Sequence, residues 1–273
     1  MDHAEHRARQ DAVAQAVVSF LQQSPHVLGL LVRGSFAKGR NDAFSDVDMD
    51  CYLRDEARTG RAELYEGVGR IRPLLCKLWL YDRNALYLFD NGVRLDLDFH
   101  PPSQLAKGSC LNSAILHDPD GRLAAELKPT PFNPPEPTEY FPDGAAMVEW
   151  FFWMFRQTYC WTKRAAQGGP KGRYGGLSSA IDSLTQVRDK LVEIRRWMEG
   201  RWDYLERIDA PMAERLAATF PTFDPDSVLK ATRLLLAEFA IVCGAYCQRV
   251  GIAFPQSKAS ILSSLLDEFD ALG

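Results

Sequence analysis

The stretch SDVDMDCYL, residues 45–53, sets three aspartates, Asp46, Asp48 and Asp50, at alternate positions. On a β-strand every second side chain shares a face, so a strand here gathers three carboxylates within a few ångströms of one another. Like charges that close repel. Such a cluster persists where a cation neutralises it or where it lies in open solvent. Any fold for this chain must offer that strand one or the other.

The neighbouring segments favour a cation. HVLGLLVRG, residues 26–34, reads as a short buried strand running into Gly34-Ser35. If a helix opens there, its free backbone N–H groups and the Ser35 hydroxyl make an anion site suited to phosphate. Asp46 and Asp48 follow about ten residues later, and paired carboxylates suit Mg²⁺, a hard ion commonly shared between one or two carboxylates and substrate phosphates. A third acid is expected if two metals about 3.5–4 Å apart clamp an in-line displacement at phosphorus. GVRLDLDFHPP, residues 92–102, supplies it, with Asp96 and Asp98 on one strand face and Leu95, Leu97 and Phe99 on the other. Asp96 is favoured, because Asp98 stands nearer the strand end and Pro101-Pro102. That acid can ligate metal and take a proton as general base. The expected metal ligands are thus Asp46, Asp48 and Asp96. Lys38, in the loop after Ser35, is placed to reach the β- and γ-phosphates.

A chain of 273 residues with 46% hydrophobic and 25% charged residues can bury a full core, and its length favours two domains. The net charge of −4 disfavours a polynucleotide partner. No apolar stretch approaches the roughly 20 residues of a membrane span, and MDHAEHRARQDAVAQ lacks the apolar core of a signal peptide, so the expected compartment is the cytoplasm. The six cysteines are scattered in apolar runs and read as reduced core thiols, Cys243 and Cys247 included. Residues 11–23 carry helical periodicity, a further helix is expected near 60–75, and CKLWLYD, ALYLF, VRLDLDF and CLNSAILHD read as strands. KPTPFNPPEPTEYFP, residues 128–142, holds six of the 16 prolines and marks the domain boundary. Everything beyond it is helix-periodic. The expected class is α+β: a domain over 1–128 with a small mixed sheet and flanking helices, a proline-rich linker over 129–142, and an all-α bundle over 143–273.

GSFAKGRNDAFSDVD, with the acidic strand at Asp96, resembles the signature of the DNA polymerase beta-type nucleotidyltransferase superfamily: Gly-Ser, then Asp-x-Asp, then a strand-borne third acid. The layout, with ILHDPDGRL ahead of a helical C-terminal half, is similar to the antibiotic nucleotidyltransferases of the lincosamide and aminoglycoside groups. The resemblance implies a nucleotidyltransferase domain at the N-terminus and Mg²⁺-dependent transfer of a nucleoside monophosphate, AMP from ATP, to the hydroxyl of a small acceptor such as an antibiotic, with release of pyrophosphate. It implies two Mg²⁺ ions on Asp46, Asp48 and Asp96, nucleotide contacts from Gly34, Ser35, Lys38, Ser45 and Lys163, and a homodimer as a common assembly. AMP transfer to a protein hydroxyl, as in antitoxin-like members, and a non-catalytic nucleotide sensor are the rival readings.

Other residues carry plainer expectations. Asp50 departs from the apolar residue common at its position and reads as a rim or solvated acid. EWFFWMFRQTYCW, residues 149–161, is apolar nearly all round and reads as a central bundle helix, with Trp153 or Trp161 left as candidates to line an acceptor cleft or stack on a base. Glu149 is expected in the first turn of that helix, favoured by its dipole. GGPKGRYGG, residues 168–176, reads as a flexible connection between helices. His100 and His117 have no third ligand at zinc spacing.

Overall fold

The computed structural model describes residues 3–39, 41–54, 58–80, 83–107, 113–128, 144–168, 172–200 and 204–271. The linker expected over 129–142 lies outside them, as do Arg40 and Cys110. The chain divides into two compact units, Met1–Phe141 together with Asp267–Gly273, and Pro142–Leu266.

The first unit is α+β. Helix α1 (His3–Leu21) leads into β1 (Val27–Arg33), a single turn α2 (Gly34–Ala37), β2 (Val47–Leu53) and α3 (Arg58–Gly69). Strands β3 (Leu74–Leu80), β4 (Asn84–Phe89) and β5 (Arg94–His100) follow, then a 3₁₀ turn Pro102–Lys107, β6 (Ser113–His117) and α4 (Arg122–Glu126). The strands form one mixed sheet in the order β3-β4-β5-β2-β1-β6. Only the β2–β5 pair is parallel among the described strands, with Asp48 opposite Asp96 and Asp50 opposite Asp98.

Strand alternation sorts the two faces. Val47, Met49, Cys51, Leu95, Leu97 and Phe99 point into a core shared with Val13 and Val17 of α1 and Leu64 and Val68 of α3. A buried side chain of this size stabilises by roughly 1.5–3 kcal/mol, which pins the register, because a one-residue slip would drive the aspartates into that core. The acids occupy the other face, where a small cluster of Leu28, Leu31, Tyr52, Leu105, Leu123 and Leu127 packs beyond them.

The helix expected near 60–75 stops at Gly69, and β3 begins at Leu74. Pro73 accounts for the shortening: it cannot continue a helix, and it drives the preceding residue to extended backbone.

The second unit is helical. It holds α5 (Gly144–Ala166), α6 (Gly172–Glu199), α7 (Leu205–Ile208), α8 (Ala210–Ala217), α9 (Pro225–Val250) and most of α10 (Gln256–Asp270). Helices α5, α6 and α9 pack on one another. Phe239 of α9 packs its ring among Phe151 and Phe155 of α5, tilted to one and edge-on to the other, with centroids 5.0 and 5.7 Å away, so the aromatic run is core. Trp153 is buried with it. Two expectations need correction. Glu149 stands in the second turn of α5, past the reach of the dipole, and accepts from Lys258 Nζ at 2.8 Å. Residues 172–176 are helix instead of loop. A Cβ on Gly176 would lie 2.7 Å from Ala165 Cβ, so the missing side chain serves the close approach of α6 to α5.

The five described cysteines are buried free thiols. Among the described residues no helix is long and apolar enough to cross a membrane.

Candidate active site

Strand β1 ends at Arg33, and the backbone turns through Gly34 at φ +67°, a left-handed conformation that an L side chain resists. Glycine is needed twice over, since a Cβ there would stand 3.1 Å from Asp48 Oδ2. Ser35 follows in the α2 turn, and its Oγ lies 3.2 Å from Ser45 Oγ. This bond ties the two ends of the loop together.

Ser45 is buried and folds the loop back on itself. Its Oγ accepts from the Asp42 N–H at 2.9 Å and donates to Asp42 Oδ1 at 3.0 Å, while Asp42 Oδ1 also accepts from the Phe44 N–H. Gln10, fully buried on α1, donates from Nε2 to the carbonyls of Asp42 and Ser45, each at 3.0 Å, and its Oε1 accepts from Asn41 Nδ2 at 2.8 Å. Phe44 is held edge-on against Phe269 of the C-terminal helix, which also meets His6. The loop that delivers Asp46 to the start of β2 is therefore fastened from α1 and from the C-terminus. Gln10→Leu should cost about 1–3 kcal/mol by leaving two carbonyls and the Asn41 amide without their partner. Urea unfolding would show this, and a wild-type free energy would contradict it.

The parallel register brings Asp96 beside Asp48, and Asp46, just ahead of β2, is reached by the same Arg94 that pairs with Asp96. Asp48 is raised to about 7, by burial first and then by the charges of Asp96 and Asp46. Asp96 is raised in the same direction, chiefly by burial. Among the described residues no ion pair or hydrogen bond ties down the Asp48 carboxylate. Arg94, one of the least exposed charged residues of the sheet, grips both oxygens of Asp96 at 2.5 and 2.9 Å and reaches Asp46 Oδ2 at 3.2 Å. Burial works against its charge, but the surrounding acids, led by Asp46, more than offset that and hold it protonated. Two of the three carboxylates thus share one guanidinium and Asp48 has none, which leaves an excess of negative charge and an all-oxygen donor set. Carboxylate oxygens are the donors that a hard divalent cation such as Mg²⁺ prefers.

Asp50 is not the solvated or rim acid expected: it is 3% exposed. Its Oδ2 pairs with Arg33 Nε at 2.9 Å and its Oδ1 with His100 Nε2 at 2.8 Å. Asp98 receives Arg33 at Oδ2, 2.8 Å, and Asn84 Nδ2 at Oδ1, 3.0 Å. His100 Nδ1 lies 3.2 Å from Gln104 Oε1, which also accepts from Arg83. Asp50, Asp98 and His100 bring three ligand atoms within 4.8 Å of one another, a grouping that chain spacing concealed because the β2–β5 register, not a local motif, assembles it. Both carboxylates pair with the one guanidinium of Arg33.

Lys38 is exposed at the end of α2. Lys163 belongs to the second unit, on the buried side of α5. Sequence reasoning missed Gln10, Arg33 and Arg94. The one available signal was an arginine two positions before the third acid, which strand alternation puts on the acid's own face.

No known family profile matches the chain, and no curated protein matches it. Among solved structures it is similar to an aminoglycoside 6-adenyltransferase from Bacillus subtilis, at 14% identity over 95% of this chain and 98% of that one, with a TM-score of 0.34. So loose a likeness leaves the case for function to the site itself.

Proposed function

We propose that the protein is a Mg²⁺-dependent nucleotidyltransferase that moves a nucleoside monophosphate, AMP from ATP, onto a hydroxyl of a small molecule and releases pyrophosphate. The observation that carries this reading is the pairing of Asp48 with Asp96 on one sheet face beside the Gly34–Ser35 turn, with Asp46 just ahead of β2 and with Asp48 untied and pushed to about 7 by burial and its acidic neighbours. A cluster so unfavourable to itself makes physical sense as a receiver of divalent charge.

In this reading Asp46 and Asp48 hold two Mg²⁺ ions and Asp96 completes the acceptor-side position. When bound, Mg²⁺ neutralises the triphosphate and makes the acceptor hydroxyl more acidic. The acceptor oxygen bonds to the α-phosphorus, the bond from that phosphorus to the bridging oxygen breaks, and pyrophosphate leaves. Asp96 takes the hydroxyl proton, and Arg94 keeps its carboxylate aimed. Ser35 and the backbone N–H groups after Gly34 bind phosphate, Lys38 meets the leaving pyrophosphate, Ser45 keeps Ser35 in place, and Lys163 contacts the nucleotide. Residues 1–128 act as the nucleotidyltransferase domain and 143–273 as the helical domain, joined by the proline-rich 129–142 segment. An antibiotic of the lincosamide or aminoglycoside class is the proposed acceptor, and a homodimer the proposed assembly.

The test is pyrophosphate release from each nucleoside triphosphate with Mg²⁺, across lincosamides, aminoglycosides and a control without acceptor. Release that depends on one drug class supports the reading and names the substrate. Mg-ATP binding with no release for any drug would move the assignment to a protein acceptor or a sensor.

A further inference from the structure

The tier of buried Asp50, Asp98 and His100 with half-buried Asn84 lies outside the proposed chemistry, yet it borders it. Arg33 is the cross-strand partner of Asp48. Adjacent strands bring such partners within about 5 Å, so a guanidinium on Arg33 has Asp48 as its nearest acid by default. It does not go there. Its ion pairs run to Asp50 and Asp98, at 2.9 and 2.8 Å.

The alternative is on view at Arg94. That guanidinium lies directly on Asp96 and Asp46. An Arg33 released from Asp50 and Asp98 would cover Asp48 in the same way.

Each of the four carboxylate oxygens of Asp50 and Asp98 has a partner within the tier. Arg33 takes one from each, His100 the second of Asp50, and Asn84 the second of Asp98. Gln104 then backs His100, and Arg83 backs Gln104. Turning Arg33 towards Asp48 would break its ion pairs with both Asp50 and Asp98.

We infer that Asp50 and Asp98, braced by His100 and Asn84, are positioning residues that hold the Arg33 guanidinium away from Asp48 and so keep the Asp48 carboxylate open to a divalent cation. This role rests on the metal binding proposed for Asp48, and it gives the second acid pair a purpose of its own, the restraint of a competing cation.

The experiment is Mn²⁺ binding to the full-length protein, read from the EPR signal of free Mn²⁺ without nucleotide or acceptor. Outer-shell partners of metal ligands typically govern affinity by about 10- to 100-fold. The Asp50→Asn/Asp98→Asn pair should weaken Mn²⁺ binding by about tenfold or more, because Arg33 then falls on Asp48. Adding Arg33→Met to that pair should restore affinity to within about threefold of wild type, a rescue that a merely structural role would not give. Should the double variant misfold, Asp98→Asn alone, with and without Arg33→Met, carries the same comparison. Unchanged affinity in the acid variants overturns the inference, and so does a triple variant as weak as the double. Wild-type protein that binds no Mn²⁺ would instead remove the metal reading on which the inference stands.

Discussion

Asp48→Asn is expected to lower nucleotidyl transfer by about a thousandfold or more while leaving the fold intact. Asp48 stands at the centre of the acid group, in register with Asp96 on one side and Arg33 on the other. Asn keeps the shape and one oxygen but removes the charge that attracts a divalent ion. No described ion pair depends on Asp48, so the change breaks no bridge. It also removes a source of repulsion, since burial, Asp96 and Asp46 all act against the charged form. The variant should therefore melt no lower than wild type. Near-wild-type transfer by a normally folded variant would defeat the metal assignment, and lost transfer in an unfolded one would say nothing for it, so circular dichroism and thermal melts accompany the assay.

The second large effect concerns pH. In the metal-free protein Asp48 titrates at about 7, whereas in the unfolded chain it returns to the ordinary range near 4. Between those values the native state holds a proton that the unfolded state has lost. Stability from this group is fully present below about pH 4 and is lost as pH rises through about 7. Asp96 is displaced in the same direction. With part of the Asp48 carboxylate open to water, the expected loss is about 1–2 kcal/mol, a Tm fall of a few degrees between pH 5 and 8. Mg²⁺ should reverse the fall at pH 8 and do little at pH 5, because protons compete for the same carboxylate. Asp48→Asn should flatten the slope and remove most of the Mg²⁺ response. A wild-type Tm that rises across this window, or an Asp48→Asn profile parallel to wild type, would contradict the assignment.

The strands and their acidic face were legible in the sequence because strand alternation is a local signal. Asp48 and Asp96 could each be placed on a face from spacing alone, and the Gly34 turn from its residue type, whereas Asp46 falls just ahead of β2. What spacing could not supply was register. Only the parallel pairing of β2 with β5 sets Asp50 beside Asp98 and His100, and only the β1–β2 pairing gives Asp50 its partner Arg33, so an acid expected in solvent is instead buried and paired. Gln10 escaped notice for a similar reason: a glutamine in an amphipathic helix carries no mark of the carbonyls it will meet across the fold. Helix limits failed where a single residue decided them, at Pro73 after α3 and at the glycines that begin α6. The proline-rich segment announced a boundary by composition, a signal independent of pairing.

The central claim is that the Asp46–Asp48–Asp96 group binds divalent metal to support transfer at phosphorus. Pyrophosphate release from ATP and a responsive acceptor, titrated with Mg²⁺ for wild type and Asp48→Asn side by side, tests it most directly. Saturable Mg²⁺-dependent release by wild type that is all but absent from the folded variant is the predicted result. Release that ignores Mg²⁺, or that survives in the variant, would contradict it.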